Sequence, residues 1–336
     1  MKENDKMSND YSEAVEQDSE QHFRNLLKKT KRKSMLRNII ISVLSAMVVI
    51  VGLLIADKML LSRSANKALS DLYHYQLISS PNVLLGESQS LDSVLGGTAI
   101  YRTYKVIEGV PLPWAEVKVH YNVFGQYGQF VGGYSPLNVK DPDMEKLNMA
   151  RPYNVMNGQR ELLFFHPEVH YPDLLNELNK LDQIDSGKKV EMALSLDHAY
   201  TANEIRDMLP SGVHARWFWV DTYTPEYIKF MNGPPALPLI SPNVYGYAAY
   251  ADPEDTREND EGKFIEYVKE GLKLNGNYDW EYTQIFNQLR GGKKEPAKDD
   301  VHSIGVVVTG SPESLRALKD KNCVRAAVLG AIADKY

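Results

Sequence analysis

The longest unbroken apolar run in this chain is Ile39 to Ala56 (IIISVLSAMVVIVGLLIA), eighteen residues with no charge and only two serines. That is the length a helix needs to cross a bilayer's hydrocarbon core. Ahead of it, His22, Phe23, Leu26, Leu27 and Thr30 recur at spacings of three and four, which puts them on one helical face. Two readings fit this stripe. It can be the inner end of the membrane helix, with lysines reaching toward phosphates, or Phe23, Leu26 and Leu27 can form a docking face for a partner's groove. Beyond the span, Ala65, Ala68, Leu69 and Leu72 predict a helical stalk over 64–76.

The pattern then changes to period two. Residues 99–107 (AIYRTYKVI) and 115–124 (AEVKVHYNVF) read as paired strands joined by EGVPLPW. Residues 142–158 read as loop, 160–166 as a short strand, and 171–181 as a helix through Leu174, Leu175, Leu178 and Leu181. From Lys189 to Leu196, Val190, Met192, Leu194 and Leu196 alternate with Glu191 and Ser195, predicting a strand with one buried face. Thr201 with Glu204 forms a capping box opening a helix through Ile205, Met208 and Leu209, and 213–223 is the next strand, completing a β-α-β unit. A second such unit follows at 303–329, with Ser311-Pro312-Glu313 starting its helix. Between the two, a helix is expected over 261–274 and a charged connector over 291–300. The whole predicts an α+β protein with segments 1–38, 39–56, 57–185 and 186–336.

Charge adds direction. Lys28, Lys29, Lys31, Arg32, Lys33 and Arg37 crowd one flank of the span, while only Lys58, Arg63 and Lys67 stand close on the other. The positive-inside rule therefore expects residues 1–38 in the cytoplasm and the long remainder outside. A cleaved signal peptide fits less well, because thirty-eight residues precede the apolar run and no A-x-A-like site follows it promptly. Residues 1–37 carry nine basic and seven acidic residues, leaving −8 on the rest of a chain whose net charge is −6. So acidic an exterior is a poor partner for nucleic acid, and the inner basic cluster reads as a contact for anionic membrane lipid.

Candidate chemistry is sparse. His166-Pro-Glu-Val-His170 lacks the H-E-x-x-H order, and its prolines prevent a helix from aligning both imidazoles, so no metal is expected there. The acidic stretch 252–261 lacks the alternating ligands and central glycine of a calcium loop. The lone cysteine, Cys323, rules out an intrachain disulfide and reads as a thiol inside an apolar strand. No cofactor and no enzymatic activity are expected. Trp217, Trp219 and Tyr223 fall on one side of their strand; they can stack a cell-envelope ligand or fill a core, and packing is the commoner use of such rings.

Residues 188–223, with a strand, a T-x-x-E-capped helix ending in L-P and the W-x-W-V-D strand, resemble the sigma factor regulator C-terminal family. The basic run FRNLLKKTKRKSMLRNIIISVL within 23–56 resembles the companion N-terminal family. The resemblance implies a single-pass membrane regulator of anti-sigma type, controlling an extracytoplasmic-function sigma factor and carrying no catalytic residues. Many anti-sigma factors hold sigma through a larger cytoplasmic domain with a His-x3-Cys-x2-Cys zinc site. Here no cysteine precedes the span, so contact with sigma is expected either directly through the short segment or through a second membrane protein.

Overall fold

The computed structural model describes residues 2–129, 136–250 and 257–334, with side chains from His22 onward. One helix, α1 (Lys2–Ile78), opens the chain. Contacts divide the protein into two compact units, Met1–Met59 and Leu60–Tyr336. The first is helical throughout its described length. Every side chain from Ile39 to Ala56 is exposed, an arrangement that water penalises and lipid does not. Among the described residues, α1 is the one helix long and apolar enough to cross a membrane.

In the second unit, the last turns of α1 lie on an antiparallel sheet made of β1 (Leu84–Asp92), β2 (Gly96–Ile107), β3 (Val110–Pro113), β4 (Val117–Asn122) and β5 (Tyr127–Gln129). Its order is β1-β2-β4-β5, with β3 folded back on β2. The expected stalk is therefore core. Leu61, Ala65, Ala68 and Leu72 are buried at helical spacing, packed on Ala99 and Tyr121 at one level and on Val119 at the next.

Residues 137–183 form short pieces: β6 (Leu137–Val139), β7 (Arg151–Tyr153), β8 (Leu163–Phe164) and short 3-10 turns at Pro142–Leu147 and Glu177–Gln183. The helix expected from Tyr171 is thus only the second of these turns. Its start is set by Asn176, whose side chain caps the backbone of Leu178.

The second sheet contains β9 (Lys189–Tyr200), followed by α2 (Ala202–Met208), and β10 (Val213–Val220). After α3 (Pro225–Met231) and β11 (Leu239–Ile240), which pairs with β8, come the edge strand β12 (Gly246–Ala248) and two helices, α4 (Glu261–Leu274) and α5 (Asp279–Arg290). Then follow β13 (Ser303–Gly310), α6 (Pro312–Arg316) and β14 (Val324–Ala333). The strand order is β12-β10-β13-β9-β14, and each paired neighbour is antiparallel.

Both β-α-β units are present, but they interleave. β13 sits between β9 and β10, and β9 sits between β13 and β14, so the strands of a unit run parallel without touching. This is the split β-α-β arrangement of ferredoxin-like folds, with β12 added at one edge. Matching caps open the two crossover helices: Thr201 and Glu204 form the full capping box, and the Ser311 hydroxyl accepts from the Ser314 backbone.

Val190, Met192, Leu194 and Leu196 face a core closed by α2, α4 and α5. The opposite face is not solvent. Ala193, Trp219, Val307 and Val328 meet Leu162, Leu163, Phe164 and Phe165 there, which buries Glu191 and Ser195 as well. Ser195 Oγ accepts from the Phe165 backbone at 2.9 Å, so the polar position of the alternation is satisfied internally.

Candidate functional site

On α1 ahead of the span, Phe23, Leu26 and Leu27 are 63 %, 50 % and 54 % exposed, and Lys28, Lys29, Lys31, Arg32, Lys33 and Arg37 are exposed around and behind them. Alanine-rich or charged surface would satisfy water better, so three large apolar side chains in one stripe are available to a partner or a lipid surface.

Within the second unit, the last turns of α1 are seated by polar groups that the hydrophobic pattern does not reveal. Asp71 is buried, and its Oδ2 accepts from Tyr127 Oη at 3.0 Å and from the Asn277 backbone at 2.8 Å. A Cβ on Gly276 would collide with that carboxylate, so the turn between α4 and α5 uses glycine to reach it. One turn on, the Tyr75 ring stacks on Tyr278 with centroids 3.8 Å apart and planes 5° from parallel. Burial, then the adjacent Asp71 charge, pushes the Tyr127 phenol well above its ordinary range.

Just past α1, the Asn82 amide donates to Glu191 at 2.7 Å. Glu191 also takes Lys105 from the first sheet at 2.8 Å and the Ala331 backbone at 3.1 Å. Lys105 in turn lies 4.1 Å from the centre of the Trp114 ring. One buried ion pair therefore joins β2, β9 and β14 to the segment leaving α1.

Two cavities of about 320 Å³ each open beside this seat and share Gln76, Ser79, Ser80 and Val83. Tyr73, Tyr104, Arg216 and Tyr267 help line the first, and Trp114, Glu161, Tyr278 and Glu281 the second. Burial, the largest influence, pushes the Glu161 carboxyl above the usual glutamate range, and the Lys105 charge and the Asn154 hydrogen bond pull it only part of the way back. A folded pKa above the unfolded one contributes stability that is complete below the ordinary glutamate pKa and is lost as pH rises through the raised value. Glu161→Gln keeps an acceptor for Asn154, now at 3.0 Å. It is expected to flatten the fall in thermal midpoint between mildly acidic and neutral pH and to raise the neutral midpoint above wild type. An unchanged slope in paired melting curves would rule Glu161 out as its source.

The aromatic line requires a correction. Trp217, Trp219 and Tyr223 are only 3 %, 0 % and 6 % exposed. The layer formed by Leu162–Phe165 covers that side of the sheet, and Trp219 Nε1 donates to Tyr223 Oη at 3.1 Å. These rings form core rather than an exposed stacking face, and Trp217 also borders the first cavity. His166 is buried 3.6 Å from Asp221, whereas His170 is exposed and bonded to Asn232. Among the described residues no group of three or more histidine, cysteine or acidic side chains is arranged to hold a metal. Of the acidic stretch 252–261, residues 252–256 lie outside the described ones. Cys323 is half-buried ahead of β14 rather than inside it, and burial raises its thiol pKa.

A membrane-crossing helix that continues into a buried seat in an α+β unit defines an anchored, single-pass protein. Residues 24–112 match the family model described as sigma factor regulator N-terminal, and residues 181–331 match that described as sigma factor regulator C-terminal. The chain belongs to the sigma factor regulator family, a regulatory family of anti-sigma type. The first match covers Leu26 and Leu27 of the exposed stripe, the apolar run, the last turns of α1 and most of β1 to β3; the second covers nearly the whole interleaved sheet. No curated protein and no solved structure matches the chain.

Proposed function

We propose that this protein restrains an extracytoplasmic-function sigma factor at the membrane, with residues 1–38 in the cytoplasm and the second unit outside. The carrying observation is the exposed stripe of Phe23, Leu26 and Leu27, placed beside the span in a chain of the sigma factor regulator family. The excess of basic residues on that flank supports the orientation. Sigma is held directly by the stripe or through a second membrane protein, and the basic cluster rests on anionic lipid. The exterior reads the state of the envelope at the seat of α1, where an occupant of either cavity would touch the turns that lead back toward the span.

Removing the protein should raise transcription from promoters of the sigma factor it restrains, and a phosphatase fused after Asp334 should be active only outside. Unchanged sigma-dependent transcripts would favour the alternative, an envelope-binding module with no transcriptional role. An inactive phosphatase alongside an active cytoplasmic reporter at the same place would reverse the orientation.

A further inference from the structure

We infer that the end of the first sheet nearest the chain's entry point is a membrane-contacting surface, in which two β-turn tips dip their apolar side chains into the lipid interface. Val94 and Phe124 are 73 % and 81 % exposed, and Leu91 and Leu95 beside them are exposed too. The sheet brings the four together: Gly96 pairs with Asn122, Leu91 with Thr98, and the Val123 backbone donates to Leu95 O at 3.2 Å.

The tips are built rather than loose. Asn122 Oδ1 accepts from the backbones of Phe124 and Gln126 at 3.0 and 3.2 Å, which fixes the turn carrying Phe124. Ser93 N and Oγ both donate to Gly96 O at 2.8 Å, closing the other turn. Leu95 has a φ of 64°, a left-handed conformation that glycine or asparagine adopts with less strain. A leucine at such a position in water costs stability through its backbone and gains none from its exposed side chain; burial of that side chain in lipid offsets the backbone cost.

Direction follows from the packing of α1 on the sheet. From Leu72 back to Leu61, its contacts move from Val119 to Tyr121 and Ala99, toward the tips. Phe124 lies three residues beyond Tyr121, up to about 10 Å farther along at strand spacing. The apolar run ends at Ala56 and this unit begins at Leu60. Four residues span at most about 14 Å at any angle, so covalent connection alone keeps the bilayer close to this end. Between Leu84 and Tyr101 the only charged residues are Glu87 and Asp92, and Asp92 is engaged by Tyr121 Oη at 2.5 Å. An apolar tip with few charges fits the headgroup boundary, where shallow apolar insertion is favourable.

The inference rests on residues 39–56 crossing the membrane, and the experiment separates the two. In full-length protein with Cys323→Ser, an environment-sensitive fluorophore is attached singly at Val94→Cys, Phe124→Cys, Val48→Cys or Pro111→Cys. Pro111 is exposed and pairs with Val106, ten residues along β2 from Gly96, about 33 Å from the tips at strand spacing. The proteins are reconstituted in phosphatidylethanolamine and phosphatidylglycerol vesicles containing spin-labelled lipid. Probes at 94 and 124 should shift to the blue and lose most of their emission to the quencher, as at 48, while the probe at 111 keeps its emission. Quenching at 48 with none at 94 or 124, or equal quenching at 94, 124 and 111, overturns the inference. An unquenched probe at 48 overturns the span itself, and the tip contact with it.

Discussion

Replacing Phe23, Leu26 and Leu27 together with alanine is expected to abolish capture of the restrained sigma factor from solubilised membranes. If these side chains are the docking face, each is buried on binding and contributes roughly 1.5–3 kcal/mol, so the three together supply about 5–9 kcal/mol. A micromolar contact has only about 8 kcal/mol in total. Alanine is the best helix former, so α1 and its anchor should survive the change. The measurement is a pull-down with wild-type and triple-variant protein from membrane fractions holding equal amounts of each. Undiminished capture would exclude this face and make Lys28 to Lys33 the next candidate.

Glu191→Leu should be the most damaging single change in the second unit. It leaves the Lys105 ammonium buried at 1 % exposure without its counter-ion and takes the acceptor from Asn82 and Ala331. Breaking a buried ion pair from one side costs about 3–5 kcal/mol, on the order of 10 °C in the unfolding midpoint of a unit this size. Adding Lys105→Met should restore much of the loss, because the pair removed together leaves no stranded charge. Thermal unfolding of both variants in detergent decides it. A double variant no more stable than Glu191→Leu alone would mean that the pair is not what holds β2 to β9.

Elements encoded locally are legible in the sequence, and elements encoded by distant partners are not. The long apolar helix, the Thr201–Glu204 capping box and the helix over 261–274 follow from neighbours a few residues apart, and each of the three is present in the structure. The interleaving of the two β-α-β units depends on register between β9 and β13, where Ser195 meets Gly305, and no local spacing specifies that partner. Glu191 reads as a solvent position because alternation reports polarity, and the layer that buries it arrives from residues 162–165. α5 carries a readable stripe in Tyr282, Ile285 and Leu289, but no side-chain cap marks its start at Tyr278. The seat of α1 is harder still, since Asp71 finds Tyr127 and Asn277 at sequence separations of 56 and 206. The exposed stripe of Phe23, Leu26 and Leu27 is legible because it needs only helical spacing within the chain itself.

The order β12-β10-β13-β9-β14 also sets when this protein can fold during synthesis. Both neighbours of β9 come from residues 303–333, roughly a hundred residues downstream. As the chain is made, β9 emerges with two bare edges and keeps both until β13, and one until β14, has appeared. Loops this long close slowly and leave strands open to wrong pairing in the interval. A product that terminates after the span but before β13 therefore retains its anchor but lacks the centre of its sheet, and quality-control proteases meet it as an unfinished chain already tethered to the membrane.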